Sequence, residues 1–270
     1  MTSPRPHQIG RFGWVPDLPD ARDHLYAAPR IAVADLPDKV DLRDGMSKAY
    51  DQGKIGSCTA NAIGAAFQFA LYKQKLPDFM PSRLFIYYNE RAMEGSVPYD
   101  AGAMIRDGVK SLRKQGVCTE DEWPYDDTPP EFDGGTWPEN AKAGMKPSDD
   151  CYKSALDNRA TSYQRVTPVL SEMQGCLADG YPFVFGFSVY SSFMSEEVAD
   201  SGVVPMPKSD EQLLGGHAVL AVGYDTETKR FLVRNSWGIR WGQDGYFTMP
   251  FSYLTTRGLA SDFWTIRVVT

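Results

Sequence analysis

The sequence predicts an α+β protein in two lobes, helical in its first half and β-rich in its second half, with a cleft between the lobes. Three observations lead to this prediction. The 270 residues are about the upper limit for one undivided core. Apolar residues recur at helical intervals early in the chain and form short strand-like runs later. The 24 glycines and 19 prolines predict many turns and long loops rather than a helical bundle.

The first half contains three predicted helices. Residues 58–74 carry apolar side chains at intervals of three and four, which predicts a helix buried along one side. Ser57 ends the preceding tight loop and is the predicted N-cap of this helix. Residues 81–93 and 103–115 are also predicted to be helical, and Gly116 closes the second of them.

The second half is predicted to form β-strands that follow a long loop. Residues 123–150 are rich in Pro, Gly, Asp and Trp, which predicts a surface excursion near the boundary between the lobes. Strands are predicted at 181–190, 217–224, 230–235 and 245–249. A polar loop joins the second and third of these strands, so His217 and Asn235 are expected on adjacent antiparallel strands.

Composition and charge exclude several classes of function. The net charge of −7 provides no positive field for nucleic acid or anionic lipid. The longest apolar run, residues 181–190, is half the length that a membrane span needs. The first ten residues lack the apolar core of a secretory signal. We therefore expect a cytoplasmic monomer without nucleic-acid or membrane partners, unless the chain is exported by a route that needs no cleaved signal.

Residues 1–35 are predicted to form an extended arm, and residues 36–270 to form the globular part. Within that part the helical lobe spans roughly 43–150 and the β lobe roughly 151–270. The arm carries more apolar anchors than a free tail normally does. These anchors are Phe12, Trp14, Leu18, Leu25 and Tyr26. A strap across the cleft is one interpretation, and a frayed terminus is the other.

Three side chains form a candidate catalytic constellation. Cys58 begins a predicted helix, where free N–H groups and the helix dipole lower the pKa of a thiol. Of the three histidines, His7 and His24 belong to the arm, so His217 is the candidate base. Asn235, on the neighbouring strand, could accept a hydrogen bond from one imidazole nitrogen while the other nitrogen faces the sulfur.

Three sequence blocks resemble the active-site blocks of papain-like cysteine peptidases (family C1), in the same order. They are Gln52-Gly-Lys-Ile-Gly-Ser-Cys58, Gly216-His-Ala-Val-Leu-Ala-Val-Gly-Tyr224 and Asn235-Ser-Trp-Gly-Ile-Arg-Trp-Gly-Gln-Asp-Gly-Tyr246. The resemblance covers about residues 36–270. It implies a two-lobe papain-like fold with a helical left lobe, an antiparallel β-barrel-like right lobe and the substrate cleft between them.

The resemblance also implies a role for each catalytic residue. Cys58 would be the nucleophile, His217 the base and then the acid, and Asn235 the residue that orients the imidazole. Gln52 and the backbone N–H of Cys58 would form the oxyanion hole. The implied reaction is endopeptidase cleavage of a peptide or protein substrate through an acyl-enzyme, without a metal or organic cofactor.

Substrate binding is assigned by the resemblance to Gly102, Gly216 and Trp237. Gly102 belongs to an Ala-Gly pair that stands where the family has Gly-Gly, and its backbone is expected to pair with an extended peptide. Trp237 is expected to be a core aromatic that also excludes water from the bond between Asn235 and His217.

The sequence departs from the family pattern around the nucleophile. Ile55 replaces a cysteine and Thr59 an aromatic residue of the family signature, so a disulfide usual in the family cannot form. Cys118, Cys151 and Cys176 are interpreted as reduced structural thiols, with disulfide or metal binding as the alternatives.

The arm and the reaction each leave an alternative open. The short stretch before Leu36 resembles that of certain bacterial members of the family, and the arm could be a short pro-segment. The same Cys-His-Asn machinery could also serve acyl or glutamyl transfer, which differs in whether water or an amine resolves the thioester. A binding protein whose site is permanently covered by the arm is the alternative from outside the enzymes.

Overall fold

An antiparallel sheet of seven strands organises the described part of the molecule. The structure, a computed structural model, describes residues 12–28, 35–132 and 135–270, so His7 and the first part of the predicted arm lie outside the described residues. The strands are β1 (Lys39–Asp41), β2 (Ala160–Arg165), β3 (Phe183–Tyr190), β4 (Leu213–Asp225), β5 (Arg230–Arg234), β6 (Tyr246–Pro250) and β7 (Ala260–Val269).

The sheet is open. Its strand order is β2-β7-β3-β4-β5-β6, and β1 pairs with the long strand β4. Strands β2 and β6 stand at the two ends of this path and do not pair with each other. The expectation of a barrel-like right lobe is therefore corrected, because the antiparallel sheet does not close on itself.

Seven helices accompany the sheet in the described part of the chain. They are α1 (Cys58–Gln74), α2 (Arg83–Glu94), α3 (Ile105–Lys114), α4 (Asp149–Ala155), α5 (Leu170–Ala178), α6 (Glu196–Ser201) and α7 (Phe251–Thr255). The first three confirm the predicted helices. Ser82 fixes the start of α2 by accepting a hydrogen bond from the backbone N–H of Phe85, and Gly95 ends it with a φ of 73°.

Helix α1 lies at the centre of the molecule. The sequence predicts burial along one side, but every residue from Cys58 to Leu71 is buried. The reason is that α1 packs against β4 and β7 on one side and against α2 and α3 on the other. Its first residue therefore lies at the junction of the helical layer and the sheet.

The two faces of the sheet support two cores. Along β3, Phe183, Phe185 and Phe187 point into an aromatic core, whereas Val184 points toward α1. This alternation follows from the two-residue period of a strand. Full burial of each such side chain contributes about 1.5–3 kcal/mol. None of the helices in the described ranges is both long and apolar enough to cross a membrane.

Candidate active site

Cys58 is the first residue of α1, and the backbone rather than a side-chain cap shapes its surroundings. Ser57 stands at the N-cap position, but its side chain makes no capping bond. Its hydroxyl instead bonds the Tyr125 hydroxyl at 2.5 Å and accepts from Asn61 Nδ2 at 3.0 Å. Ser57 therefore occupies the predicted N-cap position but does not cap the helix through its side chain. The backbone N–H of Thr59, in the first turn, acts to lower the pKa of the Cys58 thiol.

The sulfur of Cys58 lies against the strand that carries His217. The backbone N–H of Ala218 donates to Sγ at 3.3 Å, so the Cys58 thiol lies beside the residue that follows His217. Cys58 is completely buried, and burial raises the pKa of its thiol to about 12, although N–H groups of Ala218, Gly13 and Thr59 oppose this rise. Sequence reasoning predicts a lowered pKa. The difference arises because Gly13, a residue of the arm, covers the sulfur and removes it from water.

Strands β4 and β5 bring His217 and Asn235 together. His217 Nε2 lies 2.9 Å from Asn235 Oδ1, which also accepts from the backbone N–H of Ser236 at 2.8 Å. The Trp237 ring lies 5.0 Å from the imidazole, centroid to centroid, and Trp237 is 2% exposed. Trp237 thus shields this pair from water. A direct contact of Trp237 with substrate stays a prediction.

Gln52 is a buried amide held from both ends. Its Oε1 accepts from Ser236 Oγ at 2.7 Å, and its Nε2 donates to the Ile55 carbonyl at 3.0 Å. Because a carboxamide carries two N–H donors, this arrangement uses one and fixes the direction of the other. The Tyr125 hydroxyl donates to the Gln52 carbonyl at 2.9 Å and secures the backbone.

The arm crosses the cleft as an extended segment paired to both walls. Trp14 N–H donates to the Gly216 carbonyl at 3.0 Å, on the strand side. On the helical side, Ala103 N–H donates to the Gly13 carbonyl at 2.8 Å, and Val15 N–H donates to the Ala103 carbonyl at 3.0 Å. Trp14 and Ala103 form a parallel bridge. The arm therefore occupies the surface that an extended peptide would use.

On the helical side the arm pairs with Ala103, the residue that follows Gly102. Gly102 N–H faces the Tyr87 hydroxyl at 3.2 Å and is not directed at the arm. Gly102 nevertheless lies against the arm, since a Cβ on it would be 2.2 Å from the Gly13 carbonyl oxygen. Its φ of 69° also favours glycine. Gly102 thus lets the arm approach closely, and its backbone pairing with a substrate peptide stays a prediction.

The Trp14 ring fills a pocket whose walls lack side chains at two positions. A Cβ on Gly186 would lie 2.0 Å from the ring, and one on Gly216 would lie 2.6 Å from it. At the far end, Trp14 Nε1 donates to Asp262 Oδ2 at 3.2 Å. Asp262 is 3% exposed and is paired with Arg165 at 3.0 Å. The sequence alone does not predict that Asp262 and Arg165 contact the arm.

A second attachment holds the arm outside the cleft. Asp23 forms ion pairs with Arg106 at 2.6 Å and with Arg165 at 3.0 Å. Tyr26 is buried in the aromatic core, and its N–H donates to the Arg165 carbonyl at 2.8 Å. We call residues 12–17 the cleft segment of the arm and residues 23–26 its anchor.

The remaining cysteines lie away from this site. Cys118, Cys151 and Cys176 are buried and unpaired by disulfides. Burial raises the pKa of Cys176 to about 12. Within the described ranges, no three His, Cys, Asp or Glu side chains are grouped so that they could hold a metal ion.

A thiol peptidase of the papain type is the class of protein that this fold and this cleft define. The chain belongs to the papain family of cysteine proteases, and it matches the pattern of that family over residues 36–263. The two-lobe papain-like fold is thereby confirmed.

Known relatives agree with this assignment. Xylellain, a cysteine protease from Xylella fastidiosa, is 50% identical, with a TM-score of 0.93 and full coverage of both chains. A peptidase C1-like protein of Acanthamoeba polyphaga mimivirus is 42% identical, over 96% of this chain and 87% of its own length. Digestive procathepsin L 3 of Tenebrio molitor, at 18% identity and a TM-score of 0.65, shares the fold, over 90% of this chain and 72% of its own.

Proposed function

We propose that the protein is a cysteine-type endopeptidase in which Cys58 attacks the peptide carbonyl and His217 moves the proton. The observation that carries this proposal is the line of contacts from the Cys58 sulfur through the His217 strand to Asn235. The hydrogen bond that His217 Nε2 donates to Asn235 Oδ1 holds the imidazole in place. We therefore assign proton transfer to the other ring nitrogen, Nδ1.

The reaction then follows from the positions of these groups. His217 takes the thiol proton, and the thiolate adds to the carbonyl carbon. The second N–H of Gln52 Nε2 and the backbone N–H of Cys58 stabilise the oxyanion. The intermediate collapses to a thioester as the imidazolium gives its proton to the leaving amine. Water, deprotonated by His217, hydrolyses the thioester and regenerates the Cys58 thiol.

The arm restrains this activity in the same proposal. The backbone of Gly13 acts to lower the pKa of the Cys58 thiol, and the Gly13 carbonyl oxygen accepts a hydrogen bond from the Ala103 N–H at 2.8 Å. The Gly13 carbonyl oxygen is therefore held by the helical wall and not by the oxyanion donors, which supports an arm that lies on Cys58 without being cut. Access to the site requires the cleft segment to detach.

An epoxide-type thiol peptidase probe, with mass-spectrometric mapping, tests the proposal on the full chain and on Trp14→Ala. We expect modification of Cys58 in both, faster in the variant, together with hydrolysis of a fluorogenic peptide. Aminolysis products dominating over hydrolysis when an amine is added would favour the transferase. No labelling of Cys58 in either protein would favour the permanently covered binding protein.

Gln52→Ala is expected to lower kcat by roughly 10²–10³, the usual loss for one oxyanion donor, with little change in KM. The reason is that Gln52 would contact the oxygen only once it carries charge. Steady-state kinetics on a peptide substrate measure kcat and KM separately. Gln68→Ala is the control, because it removes another buried amide, on α1, outside the proposed oxyanion hole. A change confined to KM would place Gln52 in substrate binding instead.

The arm is expected to bind more tightly as the pH falls from about 6 to about 4. Burial, together with the facing carboxylate of Asp262, raises the pKa of Asp17 from 3.8 to about 6, although donors from Arg106 and Trp264 oppose the rise. The docked arm thus binds a proton that the free arm releases, so docking is favoured below the raised pKa and is weakened, by up to about 100-fold, above it.

The measurement is the ratio of kcat/KM of the wild-type chain to that of Trp14→Ala across this pH range. Division by the variant removes the pH dependence of the chemistry itself. We expect the ratio to rise with pH up to about 6 and then to level off. Asp17→Asn should flatten it, whereas a ratio that falls with rising pH would contradict the role of Asp17.

A further inference from the structure

The loop before the nucleophile is held at one peptide unit from both sides. We call residues 52–57 the nucleophile loop, and the peptide unit in question joins Ile55 to Gly56. The Ile55 carbonyl accepts from Gln52 Nε2 at 3.0 Å. The Gly56 N–H donates to both carboxyl oxygens of Asp100, each at 3.0 Å. Asp100 therefore lies at one end of a line of hydrogen bonds, and the Gln52 amide lies at the other end.

This line of hydrogen bonds lies in the protein interior. Gln52 and Ile55 are completely buried, and Asp100 is 7% exposed. A Cβ on Gly56 would lie 3.2 Å from Asp100 Oδ1, so the missing side chain lets the carboxyl group approach the loop closely. A hydrogen bond in such a place is electrostatically stronger than one in water. The peptide unit between Ile55 and Gly56 is therefore kept in one orientation.

A tyrosine of α2 fixes the carboxyl group of Asp100 in turn. The Tyr87 hydroxyl donates to Asp100 Oδ1 at 2.5 Å and accepts from the Gly102 N–H at 3.2 Å. Tyr87 is completely buried, and the guanidinium of Arg91 lies 4.0 Å from the centre of its ring. Asp100 thus has a fixed position relative to the nucleophile loop and to the wall of the cleft.

The nucleophile loop lacks the covalent tie that is usual in the family. Ile55 occupies the position of a cysteine in the family signature, and the four cysteines of the chain are free thiols. The contact with Asp100 falls on the next residue, Gly56. A tie made of hydrogen bonds therefore holds the loop beside the position of the missing cysteine.

We propose that Asp100 is a positioning residue for the oxyanion hole and that it acts on the Gln52 amide through the peptide unit between Ile55 and Gly56. The N–H and the carbonyl of this unit lie in one plane, so fixing the N–H also fixes the direction of the carbonyl. That carbonyl holds one N–H of Gln52 Nε2, and the second N–H then points to the position of the oxyanion. The inference rests on the proposed role of Gln52 as an oxyanion donor.

Steady-state kinetics on a fluorogenic peptide test this role in the full chain carrying Trp14→Ala, so that changes in arm binding do not enter the rate. Asp100→Leu removes both acceptor oxygens and should lower kcat about tenfold or more, with KM changed less than about threefold. Asp100→Asn keeps an acceptor for the Gly56 N–H and should retain kcat within about threefold. Circular dichroism checks that each variant is folded.

A double-mutant cycle separates positioning from a merely structural role. If Asp100 acts through Gln52, adding Asp100→Leu to Gln52→Ala should lower kcat by less than a further factor of about two. Glu94→Leu is the matched control, because Glu94 is a half-buried carboxyl group that accepts a backbone N–H outside the nucleophile loop, that of Met104 at 2.8 Å. It should leave kcat within about twofold. Should Asp100→Leu fail to fold, Asp100→Ser, whose side chain is shorter and still polar, takes its place in the cycle.

Two results would overturn the inference. An Asp100→Leu variant with the kcat of its parent would mean that the carboxyl group does not position the oxyanion hole. Equal losses from Asp100→Leu with and without the Gln52 side chain would mean that Asp100 acts on the fold alone. If Gln52→Ala by itself retains full kcat, the oxyanion role of Gln52 fails and this inference fails with it, an outcome that is read from that single variant.

Discussion

Replacing Cys58 with serine is expected to lower peptide hydrolysis at least about 10³-fold and to leave the fold intact. A serine hydroxyl fits the same place at the start of α1 and can still accept the Ala218 N–H. It is, however, far less acidic than a thiol, and the N–H donors and the imidazole around it are arranged for an anion on sulfur. The measurement is kcat/KM on a fluorogenic peptide, with circular dichroism to check folding.

A second cysteine variant shows whether this loss is specific. Cys176 is equally buried but lies in the aromatic core, where its sulfur contacts the Tyr181 carbonyl. Cys176→Ala should retain activity within about threefold, because cavity effects there act on stability and not on the chemistry. Equal losses in the two variants, or wild-type hydrolysis by Cys58→Ser, would refute the role given to Cys58.

Trp14→Ala raises kcat/KM on a small peptide at least about tenfold, the second large effect that the structure leads us to expect. The ring fills the pocket over Gly186 and Gly216 and donates to Asp262, so its loss removes most of the apolar grip of the cleft segment. Burial of such a side chain is worth about 1.5–3 kcal/mol, and 1.4 kcal/mol corresponds to a factor of ten. A chain that starts at Leu36 should be at least as active.

Leu18→Ala is the matched control, since Leu18 lies in the same arm but is 70% exposed. It should change kcat/KM less than about twofold, as expected for a surface position. If Trp14→Ala and the shortened chain are folded yet no faster than the wild-type protein, the arm does not restrain the enzyme.

Much of the fold follows from periodicity, and the elements that were not predicted lack it. Strand β2 consists largely of half-exposed polar residues, so it carries no alternating apolar signal. In β7 the backbone turns at Asp262, whose φ of 59° interrupts the strand pattern. Helix α5 has nine residues, too few for a helical interval to repeat clearly.

The candidate site, too, could be predicted from the sequence only in part. Cys58, His217, Asn235 and Gln52 sit in local motifs, and the structure brings these four residues into one region. The role of Ala103, by contrast, depends on the register of the arm, which only tertiary contacts fix. The acidic side chain of Asp262 beside Phe263 and Trp264 is a signal that could have marked it. The raised pKa of Cys58 could not be predicted from the sequence either, because it depends on tertiary contacts that place Gly13 near the thiol.

If the arm restrains the enzyme as proposed, its two attachments make it a tethered competitor of the substrate. While Asp23 and Tyr26 remain bound, a detached cleft segment stays close to its pocket, at an effective concentration on the order of millimolar. Reclosure is then a first-order event that does not depend on enzyme concentration. Such an internal ligand acts as a competitive inhibitor whose effective concentration is constant. It multiplies the apparent KM for every substrate by the same factor and leaves kcat at saturation unaltered.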